Sequence, residues 1–170
     1  MKYFFILGIL TMAFNSIKTK TKTKKYIDKG DCWNCLYRDI NDLDPIIKNF
    51  FVELYQKIQE YNKINGTNFV IFETRRNIER QKRLIKNGVS WIRNPKTAPH
   101  VEGRAFDIVL KKDNVYMWNA NELKKLRNWI DINFKYASLL RIAIKKDYPH
   151  YEFDRKTFYK MKKEGIKWLS

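Results

Sequence analysis

A chain of 170 residues suits one domain around a single core, and 44% apolar with 15% aromatic residues excludes a disordered polyelectrolyte. The formal net charge of +17 predicts attraction to polyanions such as nucleic acid, anionic lipid or acidic cell wall, and does not choose among them. The sequence carries no helix-turn-helix pattern, zinc-finger spacing or aromatic RNA-binding motif, so no specific nucleic acid is expected as a partner.

Met1 to Ser16 opens with one lysine and continues as an apolar run from Tyr3 to Phe14. That length fits the core of a secretory signal and falls short of the ~20 residues that a membrane-spanning helix needs. Residues 1–16 are therefore expected to be a signal or membrane-anchor segment, with an N-terminal helix packed on the domain as the alternative. Lys18 to Lys25, KTKTKTKK, has no apolar face and repels itself. It reads as a basic flexible linker over residues 17–30, able to contact anionic membrane or wall polymer. The folded domain is expected over residues 31–170.

Cys32 and Cys35 form CWNC, the only cysteines. In an oxidising compartment they would close a small disulfide loop; in the cytosol the pair would be redox active or bind metal. The disulfide reading follows from export, and a redox role would need a βαβ context that the sequence lacks.

Asp44 to Ile64 carries apolar residues at helical spacing, with Asp44 expected as N-cap, Pro45 at the first helical position and Asn65-Gly66 as the stop. Asn68 to Thr74, NFVIFET, reads as a strand that delivers Arg75 and Arg76 to its end. Ile78 to Asn87 reads as a helix capped by Asn77 and stopped at Gly88. Val89 to Pro99 has no period and reads as a loop. Gly103 to Lys111 is the next expected strand, with Ala105, Asp107 and Val109 on one face and Phe106, Ile108 and Leu110 on the other. Asp113-Asn114 supplies a turn, Asn121 to Phe134 a helix, Leu139 to Ile144 and Tyr151 to Phe153 strands. Asp154 caps a closing helix that ends at Gly165. Strands and helices without regular βαβ alternation predict an α+β fold.

The two histidines of the chain carry the chemistry. His100 lies in HVEGRAFD, seven positions before Asp107, and His150 lies in KKDYPHYEF, three positions after Asp147. Two imidazoles and a carboxylate form a common catalytic zinc set that leaves a coordination position for water. Asp147 is then the candidate proton shuttle, and Arg76 the candidate cation for the oxyanion of amide hydrolysis. Glu152 lies two residues from His150 in a strand and faces the same side. Taken singly, each residue also has a structural reading: a buried His–Asp pair, a surface ion pair at Asp147, one more basic side chain at Arg76.

ETRRNIERQ, HVEGRAFDI and KDYPHYEF, in this order, resemble the signature segments of the zinc D-Ala-D-Ala carboxypeptidase and L-alanyl-D-glutamate endopeptidase family, which includes vancomycin-resistance carboxypeptidases and phage endolysins. The motif H-x-x-G-x-A-x-D followed by [DE]-x-x-H is matched by His100, Gly103, Ala105, Asp107, Asp147 and His150. The resemblance spans about Asn68 to Phe153. It implies one zinc ion on His100, Asp107 and His150, Asp147 as general base and Arg76 on the substrate side. It also implies a small antiparallel sheet flanked by helices, as in the Hedgehog signalling domain, and peptidoglycan peptides as partners; the protein is expected to be a monomer. Three features depart from the pattern: Ala98 where serine is usual, Arg75 where an aromatic is common, and SLLRIAIKK in place of a Gly/Trp-rich segment. The expected location is periplasmic or envelope-associated after export, or cytoplasmic until lysis if the protein is phage-encoded. The competing reading is a non-catalytic basic module that binds wall, lipid or nucleic acid.

Overall fold

The computed structural model describes residues 36–141 and 146–169. The expected signal segment, the linker, Cys32 and Cys35 lie outside the described residues, as do residues 142–144 of the strand expected from Leu139 to Ile144. The helices are α1 (Lys48–Asn65), α2 (Ile78–Lys86), α3 (Ala120–Asn133) and α4 (Arg155–Glu164). The strands are β1 (Phe69–Glu73), β2 (Ala105–Lys112), β3 (Val115–Met117), β4 (Leu140–Arg141) and β5 (His150–Phe153). They pair antiparallel in the order β1-β2-β5-β4, with β3 paired to β2. This is the expected α+β arrangement, a small antiparallel sheet flanked by helices. Among the described residues no helix is long and apolar enough to cross a membrane.

The capping residues set most element ends. The side chains of Asn77 and Asp154 accept from Arg80 N (2.8 Å) and Thr157 N (2.7 Å), satisfying first-turn amides of α2 and α4. Asp44 acts differently from expectation. Its Oδ1 accepts from Ile46 N (3.0 Å) and its carbonyl from Ile47 N (3.1 Å), which closes a turn over Pro45. The helix therefore starts at Lys48, without a side-chain cap at Ile47. Asp113 and Asn114 have φ of 49° and 60°, the left-handed pair of a tight hairpin, so the chain doubles back as β3 where only a turn was expected.

One face of the sheet carries the core. Phe69, Phe106, Ile108, Tyr151 and Phe153 pack with Phe50, Phe51, Leu54 and Ile58 of α1, Leu126 and Ile130 of α3, and Phe158 of α4. Phe50 makes edge contacts at 5.3 Å with Phe51, 4.7 Å with Phe153 and 5.3 Å with Trp168. Residues of β2 alternate as predicted: Phe106 and Ile108 enter this core, and Asp107 points away from it.

β1 contains a bulge between Ile71 and Glu73. Ile71 lies opposite Ile108, and regular pairing would put Glu73 opposite Phe106, on the core face. The extra residue instead sets Glu73 opposite Asp107. A one-residue shift exchanges the two faces, so the bulge moves Glu73 from the core side to the side of Asp107.

Candidate metal centre

The face opposite the core gathers the polar residues. Asp107 is flanked in register by His150 on β5 and Glu73 on β1, and Ala105 lies opposite Glu152. Directly opposed residues of antiparallel strands project to the same side, so pairing alone brings Asp107 and His150 together.

His100 reaches them from a turn. Gly103 N donates to His100 O (3.2 Å), Glu102 N to Ala98 O (2.9 Å) and Arg104 N to Pro99 O (2.9 Å), which curls residues 98–104 ahead of β2. β2 thus starts at Ala105, not at Gly103. Gly103 has φ +70°, and a Cβ there would lie 2.9 Å from Asp44 N, whose N–H donates to Gly103 O. Only glycine meets both conditions without strain. Beyond β1, Arg76 N donates to His100 O (3.0 Å), and the Thr74 carbonyl lies 2.6 Å from His100 Nδ1. A carbonyl only accepts, so Nδ1 carries a proton and it is Nε2 that faces the site, where the neutral ring offers its lone pair to a metal ion.

That nitrogen lies 3.2 Å from His150 Nδ1 and 3.3 Å from Asp107 Oδ2, while His150 Nδ1 is 3.0 Å from Asp107 Oδ1. Ligands at zinc–ligand lengths around a tetrahedral ion stand about 3.3 Å apart. The two nitrogens stand at that spacing from each other and each from one of the two Asp107 oxygens, and one donor atom from each of the three residues lies within 4.8 Å of the others. Their types are those zinc accepts, so this set fits a zinc ion. His100 is buried, and Asp107 and His150 are half-buried.

Asp147 precedes His150 in a turn in which His150 N donates to Asp147 O (3.3 Å) and Ile108 N to Pro149 O (2.9 Å). Burial raises the Asp147 carboxyl above its ordinary range, Asp107 adds to this, and His150 and His100 oppose it. Asp147 therefore shares the electrostatic environment of all three candidate ligands. Burial would lower His150, but hydrogen bonds to Asp107 and Glu152 outweigh it and bring the metal-free imidazolium up to about 9. Burial works against the Asp107 charge, yet His100 and His150 hold that carboxyl well below the usual carboxylate range.

Arg76 lies at the margin of the same site. Its guanidinium donates to Glu73 at 3.1 and 2.5 Å and to Gln81 Oε1 at 2.8 Å, and Nη2 stands 3.8 Å from Asp107 Oδ2. Two opposed carboxylates, Glu73 and Asp107, would repel each other; Arg76 lies between them as counter-ion. Arg80 Nε adds a second contact to Glu73 at 2.9 Å.

Of the candidate site residues, the structure brings His100, Asp107 and His150 into one cluster, sets Arg76 Nη2 3.8 Å from Asp107, and leaves Asp147 in the turn that leads into His150. The sequence reading gave no role to Glu73, Gln81, Arg104 or Thr74. Glu73 and Gln81 occur in the ETRRNIERQ segment, but the bulge that turns Glu73 inward leaves no mark in hydrophobic alternation. Thr74 contributes a backbone carbonyl, which residue type does not encode.

The profile of the phage L-alanyl-D-glutamate peptidase family matches residues 41–161, more than half of the chain. No curated protein sequence matches significantly. Among solved structures, the Serratia marcescens L-Ala D-Glu endopeptidase ChiX is similar at a TM-score of 0.52 and 17% identity, covering 70% of this chain and 86% of that one. The vancomycin-resistance D,D-pentapeptidase VanY of a VanB-type cassette, solved with Zn(II), matches at 0.41 and 16% identity over 68% of this chain and 79% of its own. The LD-carboxypeptidase LdcB matches at 0.41 and 19% identity over 68% and 64%. The fold is shared with the Serratia enzyme, and the chain belongs to the phage L-alanyl-D-glutamate peptidase family.

Proposed function

We propose that this protein is a zinc-dependent peptidase that hydrolyses peptidoglycan stem peptides, acting as an endopeptidase at the L-Ala–D-Glu bond. The observation that carries the reading is the cluster of His100, Asp107 and His150, in which His100 Nε2 and His150 Nδ1 lie 3.2 Å apart and each stands 3.0–3.3 Å from one of the two Asp107 oxygens. Family membership supports the choice of the L-Ala–D-Glu bond over D-Ala-D-Ala carboxypeptidase action.

His100, Asp107 and His150 would hold one zinc ion, which supplies Lewis-acid activation of water and of the scissile carbonyl. Asp147 takes the proton of the attacking water and delivers it to the leaving amine; a carboxyl raised by burial suits both halves of that transfer. Arg76 is the cation that faces the developing oxyanion, kept in place by Glu73 and Gln81. A cavity of about 580 Å³ lined by Tyr37, Arg75, Arg76, Asn77 and Val101 adjoins the site through Arg76 and is the candidate groove for the peptide. The +17 charge steers the enzyme toward anionic wall polymers, in keeping with work at the cell envelope after export or lysis.

The test is mass spectrometry of products released from purified peptidoglycan, with and without a zinc chelator, beside a His150→Ala control. New L-Ala and D-Glu termini that vanish with chelator are expected. Release by wild type no faster than by the control refutes the peptidase. Salt-sensitive binding indifferent to chelator would favour a basic binding module.

A further inference from the structure

We propose that Glu152, clamped by Arg104, is the positioning residue of His150: it sets the imidazole so that Nδ1 is presented to the metal. The inference rests on the metal-site reading above and assigns a role to a buried ion pair which that reading does not use.

The two imidazoles of the site are used in opposite senses. His100 offers Nε2 and is backed through Nδ1 by the neutral carbonyl of Thr74. His150 faces its co-ligands through Nδ1 and is backed through Nε2 by the Glu152 carboxylate, 3.3 Å away. A carboxylate in that place requires a proton on Nε2, which leaves the Nδ1 lone pair for the ion. A ring turned over would aim carbon at Asp107.

Strand geometry explains how Glu152 reaches the ring. It lies two residues from His150 on the same side of β5, opposite Ala105, whose methyl group leaves room for a carboxylate to lean along the strand. Glu152 is only 2% exposed, and so is Arg104. Arg104 Nη1 donates to Glu152 Oε1 (2.5 Å) and to Phe153 O (3.2 Å), and Nε donates to Glu102 Oε2 (2.6 Å). The Tyr159 hydroxyl in turn donates to Glu102. A chain of polar contacts thus runs from the surface of α4 to the back of a metal ligand. Apolar residues of the same volume would stabilise the fold at least as well as a buried ion pair. What they could not supply is an acceptor with a fixed direction and a negative charge behind His150.

The test is zinc affinity, measured by competition with a chromophoric chelator, and the visible spectrum of the cobalt-substituted protein. Both are compared between wild type, Glu152→Ala, Glu152→Gln and the double variant Arg104→Met/Glu152→Leu, with His150→Ala as ligand-loss control. Circular dichroism and thermal melting establish that each variant is folded. The double variant guards against the case in which Glu152→Ala alone strands a buried Arg104 charge and unfolds the protein. Loss of the acceptor should weaken zinc binding about 10- to 100-fold and shift the cobalt bands. Glu152→Gln, whose amide oxygen still accepts from Nε2, should recover the wild-type spectrum and part of the affinity. A folded double variant with wild-type affinity and spectrum overturns this inference and leaves the metal centre standing. Wild-type protein that binds no zinc overturns both.

Discussion

The two faces of one small sheet have different tasks. On the core face, Phe69, Phe106, Ile108, Tyr151 and Phe153 meet three helices in a contiguous apolar cluster. On the other, Glu73, Asp107, His150 and Glu152 stand side by side, each tied to an imidazole or a guanidinium. Adjacent residues of the same strand thus serve opposite ends: Phe106 anchors β2 in the core, and its neighbour Asp107 joins the candidate metal set. The packing of the first face fixes the strands that carry Asp107 and His150 on the second. Damage to one face should appear as lost stability and damage to the other as lost chemistry.

The sharpest way to test that separation is Asp147→Asn. The amide cannot carry the proton, so turnover should fall about 100- to 10,000-fold while zinc affinity and melting temperature stay at wild-type values. A parallel loss of zinc would make Asp147 a ligand. The complementary substitution is Phe106→Ala, which opens a cavity among fully buried rings. It should lower unfolding free energy by about 3–5 kcal/mol in denaturant titration, with zinc affinity of the folded protein kept.

Gly103→Ala tests the place where the two faces meet. The Asp44 N–H donates to Gly103 O (2.9 Å), which ties the turn bearing His100 to the turn ahead of α1, and the positive φ and the close approach of Asp44 N leave no room for a Cβ. Strain of about 1–3 kcal/mol is expected, and here stability and zinc affinity should fall together.

The smallest effect is on pH. In the metal-free protein His150 is surrounded by Asp107, Glu152, Asp147 and His100, and its imidazolium persists up to about 9 from an ordinary 6.5. The folded state then binds more protons than the unfolded one between those values. This contribution is complete below 6.5 and is lost as pH rises through about 9. Melting temperature of chelator-treated protein should decline across that window, and zinc, which displaces the proton, should bind more tightly as pH rises. A flat metal-free curve would mean that His150 is held neutral.

The candidate site was legible in the sequence because its residue types are rare here and their spacing is informative: two histidines in all, one seven residues from an aspartate, the other three residues after one. Helix ends at Asn77, Asp154 and Gly165 were equally legible, since capping depends on side chains only a few residues away. The turn over Pro45 was not: Asp44 N is held by Gly103 O, from a distant part of the chain. Nor was β3, three residues long and half exposed, which depends on a hairpin turn and on β2 as its partner.

The sequence by itself determined the donor types, the alternation that separates Phe106 from Asp107, and the local caps, because all of these act over a few bonds. Tertiary structure alone decided which nitrogen of each histidine faces the site, that a bulge turns Glu73 toward Asp107, and that Arg104 reaches Glu152 across the sheet. These depend on strand register and on backbone carbonyls, and register is a relation between segments that no single segment contains.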